Sequence, residues 1–279
     1  MAKFHFIFGL KEQTEPLHLL YFLCLATCRY HHPQAEIHFW YRHLPHGPYW
    51  ERAHSDLSLQ LHQVGDIGFA RLAQRYDHHQ EGRFIVSNHL SYAHEADLLR
   101  LQILHTHGGG YVDIDTLFIA PYPERFWQAE CLLGEEDSLP ATEPSLQGIL
   151  QPSLCNAVIL AQPGAAFIRT WLERMEHSFD GSWSNHSCQE AARIWTAHPD
   201  WCQLLPARSF YGIGWSVTGF QNLFEHCVDL HAMYSIHLWS HLWWSPERND
   251  FSNIHAQMID EAWLKTHHCT LSQIVKPIL

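Results

Sequence analysis

Two aspartates stand one residue apart at the end of the stretch "ADLLRLQILHTHGGGYVDID", residues 96–115. Asp113 and Asp115 lie in an apolar run, where carboxylates repel each other and are costly to desolvate unless a cation offsets them. An Asp-x-Asp pair can hold Mn²⁺ (or Mg²⁺) through oxygen and leave positions open for phosphate oxygens. The plain alternative is a solvated turn with two acidic residues. Upstream, Asp97 and Arg100 are three residues apart and share one face of a helix.

These residues need elements to position them. The strand–helix–strand opening is "KFHFIFGL" (3–10), a helix over roughly 15–31 and "AEIHFWY" (35–41), which begins a parallel sheet with helices on its faces. A turn leads into a second helix over 47–64, and "RFIVSNHLSY" (83–92) is a loop or short strand before the long helix. On that helix Tyr92, Ala96, Leu99 and Ile103 recur as a buried stripe. The glycines 108–110 suit its left-handed cap and the turn beyond. "YVDIDTLFIAP" (111–121) alternates as one strand, with Tyr111, Asp113 and Asp115 on one side. Strands at 130–136 and 154–162 and a helix at 164–179 follow, and beyond 180 the alternation loosens. No repeat or flexible linker breaks the chain. We expect one unit, 1–279, with a nucleotide-binding first half (about 1–120) and a more irregular second half (about 121–279).

Composition narrows the class. The 279 residues are 46% hydrophobic and 16% charged, which fits a globular core. A formal charge of −12, with no basic stripe, argues against a nucleic-acid binder. No stretch approaches the ~18 apolar residues of a membrane span, and the N-terminus does not read as a secretion signal. Eight scattered cysteines read as reduced, buried thiols, so the expected location is cytoplasmic, with peripheral contact at the inner membrane open. Cys24, Cys28, His31 and His32 have loosely zinc-like spacing, but the same stretch reads better as a packed helix.

The string 96–115 resembles the D-x-x-R … GG-x-Y-x-D-x-D signature of the sugar-nucleotide glycosyltransferases with a D-x-D sugar-binding region. That group includes outer-chain mannosyltransferases, lactosylceramide galactosyltransferases, capsular polysaccharide enzymes and the clostridial glucosylating toxins. The resemblance implies an α/β GT-A fold, an open mixed sheet with a Rossmann-like nucleotide-binding first half flanked by helices. It implies that Asp97 and Arg100 contact the donor sugar, ribose or phosphate, that Tyr111 leans on the donor, and that Asp113 and Asp115 serve metal and nucleotide, Asp115 more directly. "FHFIFGL" resembles the family's first strand, which places Phe8 where an aromatic stacks on the base; an ordinary core phenylalanine is the alternative. "LCNAVILAQPGAAFIRTWLERM" resembles a further segment and puts Asn156 at a sugar or acceptor hydroxyl, although Ala165 and Ala166 replace the family's histidine and proline. "FYGIGW" and "SIHLWSHLWW" resemble late segments that make His237 the ligand reaching metal or diphosphate, with His241 a rival.

The implied catalytic set is thus Arg100, Asp115 and Asn156. The donor is a nucleoside diphosphate sugar, UDP favoured, and the acceptor is a glycan or glycolipid such as a bacterial surface polysaccharide. Transfer with retention is the implied outcome. A toxin-like protein acceptor is the runner-up, and a non-catalytic nucleotide-sugar-binding protein is the alternative of another class. Glu135, Glu136 and Asp137 follow a strand and line the cleft or form an exposed acidic loop. "HLWSHLWW" is a sugar platform or core.

Overall fold

In the computed structural model, which describes residues 2–69, 91–136 and 153–279, seven strands form one sheet in the order β3-β2-β1-β4-β7-β6-β8. They are β1 (Lys3–Ile7), β2 (Glu36–Tyr41), β3 (Leu59–Gln63), β4 (Gly109–Val112), β6 (Cys131–Glu136), β7 (Ser153–Ala161) and β8 (Gln203–Leu205). β5 (Thr116–Phe118) pairs instead with β9 (Ser235–His237) in a second, two-stranded sheet. β1, β2, β3 and β4 run parallel, β7 runs antiparallel to β4 and β6, and β8 returns parallel to β6. The sheet is mixed and open, as the family resemblance implies. The stretch 83–90 and Asp137, named above, lie outside the described residues.

β1 and β2 are apolar on both faces apart from a few histidines, because helices cover both sides. Helix α1 (Leu19–His31) packs on one face and buries nine residues, Cys24 and Cys28 among them. Those two thiols belong to the core, and His32 Nε2 accepts the Tyr122 N–H at 3.3 Å. The predicted second helix is shorter than expected: α2 (Pro48–Asp56) ends before β3, whose "LQLHQ" alternates with a period of two.

Helix α3 (Ser91–His107) lies on the opposite face against β4 and α5 (Ala166–Ser178), with the short α4 (Glu124–Gln128) between them in the chain. The expected stripe on α3 faces the core: Leu99 and Ile103 are buried, and Tyr92 and Ala96 pack against the same cluster. The helix is buried more widely than that stripe, residues 97–101 without a break. Its apolar moment is lost because Asp97 and Arg100 are buried among leucines and pair with each other.

The triple glycine lets α3 turn into β4 with no linker. Gly108 (φ +59) caps the helix through its N–H to Leu104 O at 2.9 Å, and a Cβ there would meet Pro163 Cδ at 2.5 Å. At Gly109 (φ +95) a Cβ would lie 2.8 Å from Lys3 O, since β4 must approach β1 at that point.

The single strand expected over 111–121 is two. Asp113 N–H still donates to Ala157 O at 2.8 Å, but Thr116 N–H donates back to Asp113 O at 3.0 Å, closing a turn. Beyond it β5 leaves the main sheet for β9. The aspartates therefore flank a turn at the carboxyl end of β4 and do not alternate along one strand. Glu135 and Glu136 lie within β6, and Glu136 Oε1 accepts from Trp215 Nε1 at 2.7 Å.

Candidate active site

β1 and β4 are neighbours that are not consecutive in the chain. In open α/β sheets the crevice beyond the carboxyl ends of such strands receives ligands. Phe8 follows β1 and Asp113 follows β4 at that edge. Phe8 is half-buried, its ring centroid 5.0 Å from that of Tyr21.

β9 is what completes the site. Its pairing with β5 sets His237 opposite Thr116, and Leu238 N–H donates to Asp115 O at 2.9 Å. His237 Nε2–H donates to Asp115 Oδ1 at 3.0 Å and lies 3.7 Å from Asp113 Oδ2. The other oxygen, Asp115 Oδ2, accepts from Ser240 N–H at 2.9 Å and from Ser240 Oγ at 2.6 Å.

Burial acts to raise the Asp115 pKa. His237 and the two Ser240 hydrogen bonds outweigh it, so this carboxyl is held far below the usual range. Asp113 is pushed upward instead, chiefly by burial and further by the Asp115 charge, in spite of Arg100 and His237. Burial lowers the pKa of His237, but Asp115 and Asp113 raise it more. His237 Nδ1 is buried without a hydrogen-bond partner. One atom each from Asp113, Asp115 and His237 lie within 4.8 Å of one another, a spacing that can hold a metal ion.

Arg100 ties this group to a second one. Its guanidinium pairs with Asp97 Oδ1 at 2.9 Å and with Asp113 Oδ1 at 3.5 Å, and donates to Asn156 O at 2.7 Å. It lies 4.5 Å from the centre of the Tyr111 ring. Tyr111, expected to lean on a donor, is 1% exposed; its face carries Arg100 and its hydroxyl donates to Asp113 Oδ1. Asn156 directs its amide inward, Nδ2 donating to Asp97 Oδ1 at 2.8 Å. Asp97 Oδ2 accepts from His186 Nε2 at 3.0 Å. Burial raises the Asp97 pKa, but Arg100 and His186 together hold it below the ordinary value.

The structure thus brings Asp97, Arg100, Tyr111, Asp113, Asp115, Asn156 and His237 into one connected set, with Phe8 at the neighbouring strand end. His241, the rival to His237, sits in a short turn with its ring 5.4 Å from that of Trp183, and burial lowers its pKa to about 4. Sequence reasoning missed Ser240 and His186. Ser240 lay inside a segment already singled out, three residues after His237. His186 sits on a π-turn, Asn185–Gln189, which has no sequence signature. "HLWSHLWW" is core: Trp239 and Trp243 are buried, and Trp244 stacks on Tyr21 at 4.6 Å. Trp239 holds φ +51 directly beside His237, a left-handed conformation unusual for a bulky residue.

Residues 22–138 match the family of glycosyltransferase sugar-binding regions containing a DXD motif. That stretch is similar to a DXD-type glycosyltransferase region. The fold is of the GT-A type: the sheet and flanking helices superpose on the galactosyltransferase LgtC, solved in complex with donor and acceptor sugar analogs. That match covers 94% of this chain and 98% of the other, with a TM-score of 0.50 and 14% identity. Among curated proteins, glucan organizing enzyme 1 of Cryptococcus neoformans is 28% identical over 247 residues. The chain aligns there over 85% of its own length and spans 62% of that relative. Among the described residues no helix is long and apolar enough to cross a membrane.

Proposed function

We propose that the protein is a metal-dependent glycosyltransferase that moves a sugar, with retention, from a UDP-sugar to a hydroxyl of a glycan or glycolipid. The observation that carries the reading is the convergence of Asp113, Asp115 and His237 within 4.8 Å, at the carboxyl end of β4 beside Arg100. Two carboxylates and an imidazole fit Mn²⁺ better than Mg²⁺, which prefers oxygen alone. Asp113 Oδ2, Asp115 Oδ1 and His237 Nε2 are the atoms that would hold the ion, once the proton of His237 moves to its unpartnered Nδ1. When bound, such an ion offsets charge on the diphosphate as it departs.

The chain's own residues do the rest. Ser240 fixes Asp115, and Tyr111 fixes both Asp113 and Arg100. Arg100 supplies a preorganised positive charge in a buried setting, where it acts strongly on a developing phosphate charge. On this reading Asp97 and Asn156 exchange their present hydrogen bonds for sugar hydroxyls, and Phe8 faces the base. In the transfer the bond from the anomeric carbon to the diphosphate oxygen breaks, and its electron pair leaves with UDP. The acceptor oxygen bonds to the anomeric carbon from the same face, and the acceptor proton passes to the leaving phosphate oxygen.

The relative named as a glucan organizing enzyme supports a polysaccharide acceptor, and the sugar ligands of LgtC support a sugar acceptor in general. We read 1–279 as one catalytic domain, because the seven-stranded sheet takes strands from both halves. The eight unpaired cysteines support a reducing, cytoplasmic setting.

Calorimetry with UDP-Glc, UDP-Gal, UDP-GlcNAc and GDP-Man, each with Mn²⁺ and with EDTA, tests the reading. We expect one donor to bind only with metal and to lose that binding in Asp115→Ala. Failure of every donor with Mn²⁺ present would remove the transferase proposal. Binding without transfer to any sugar acceptor would favour a binding protein.

A further inference from the structure

Beside the Asp113–Asp115–His237 group a second set of ligating side chains converges. One atom each from His94, Asp97 and His186 lie within 4.8 Å of one another. His186 Nε2 is 3.0 Å from Asp97 Oδ2 and 3.2 Å from His94 Nδ1. A ring nitrogen carries at most one proton, so a single N–H faces a carboxylate oxygen and an imidazole nitrogen together. A divalent ion between the three would serve all of them, once the His186 proton moves to Nδ1, which has no partner. Ligands at about 2.0–2.1 Å around a tetrahedral ion lie roughly 3.3 Å apart, close to the separations seen.

The contacts of Asp97 divide between its two oxygens. Arg100 and Asn156 both engage Asp97 Oδ1 at 2.9 and 2.8 Å, so the guanidinium lies on the far oxygen and Oδ2 faces the histidines. The Phe179 ring lies 4.8 Å from His186 and 5.4 Å from His94, and Trp183 flanks His94 at 5.8 Å, which limits competing water. The π-turn that presents His186 is anchored by Trp171 Nε1, donating to His186 O at 2.9 Å. π-bulges occur frequently at functional sites.

We propose that His94, Asp97 and His186 form a second metal site, imidazole-rich, that takes Zn²⁺ and is separate from the aspartate pair. Two imidazoles and one carboxylate suit zinc far better than manganese, and three protein ligands leave a fourth position open. Asp97 belongs to both this site and the proposed donor pocket. On the donor reading above, on which this one consequence rests, zinc here opposes binding of the nucleotide sugar.

The full chain, stripped of metal, is titrated with Zn²⁺ against a chromophoric chelator, alongside His94→Gln, His186→Gln and His237→Gln. We expect two zinc equivalents in the parent and one in each of the first two variants. His237→Gln should lose the other equivalent and keep this one. His94 is half-buried, so His94→Gln decides the matter if His186→Gln does not fold. A single equivalent that His237→Gln abolishes, or two that survive both His94→Gln and His186→Gln, would overturn the proposal. Mn²⁺-dependent UDP-sugar binding is measured on the same samples. Its absence in the parent would sink the donor reading and leave the zinc stoichiometry to be judged by itself.

Discussion

Arg100 is 5% exposed and still fully charged, because burial is outweighed by the negative partners around it. Its planar fork reaches Asp97, Asp113 and the Asn156 carbonyl while its face rests on Tyr111. A lysine keeps the charge but cannot span those directions. Arg100→Lys should therefore lower the transfer rate about 100-fold, the scale of losing one preorganised donor, in a steady-state assay with the donor found by calorimetry. Ser240→Ala removes one of two hydrogen bonds on Asp115 Oδ2 and leaves the backbone one. We expect Mn²⁺ affinity to fall roughly 10-fold, read by titration under electron paramagnetic resonance. An unchanged affinity would mean that Ser240 does not orient a metal ligand.

At the scale of elements, the site depends on two junctions. One is the glycine turn from α3 to β4, which brings Arg100 and Asp113 to the same strand end. Gly109→Ala forces a side chain into φ +95 and against Lys3 O, and should cost about 1–3 kcal/mol in urea unfolding. The other is the pairing of β5 with β9, which returns His237 to Asp115 across 122 residues. The D-x-D motif was legible because its residues are adjacent in the chain. The turn after Asp113 was not, since "YVDIDTLF" alternates convincingly and nothing local shows that β5 finds its partner only at 235–237. Strand β3 was missed for a similar reason: "LSLQLHQ" continues a helical stretch, and only its pairing with β2 decides it.

At the scale of the whole molecule, several histidines are built into the sheet and its covering layers in neutral form. His5 is fully buried, donates through Nε2 to Gly108 O at 2.9 Å and accepts the Trp40 indole N–H at 3.2 Å. Burial is the main cause that lowers its pKa to about 3, and His32, also buried, is lowered to about 4. In the unfolded chain both regain the ordinary value near 6.5. Their stabilising contribution is thus complete above about pH 6.5 and is lost as pH falls toward the folded values. For His5 alone the loss at pH 5 is about 2 kcal/mol. We expect urea-unfolding free energy to drop between pH 7.5 and 5, and the drop to shrink in His5→Gln. A flat profile would show that these rings titrate freely.

The strand–helix–strand opening and the central run of helix, glycine turn and aspartates were determined by the sequence itself. Short-range periodicity and backbone sterics at Gly108 and Gly109 act between near neighbours, so a linear reading captures them. Asp97 and Arg100 followed from the same helical spacing. Only the tertiary structure decided what surrounds them. His186, 89 residues from Asp97, and Ser240, 125 from Asp115, meet their carboxylates through crossovers whose geometry no local pattern encodes. Tyr111 likewise reads as an aromatic at a strand end, and only packing against Arg100 turns it into a support for Asp113. Buried polar groups must find partners, and in this fold those partners come from the far end of the chain.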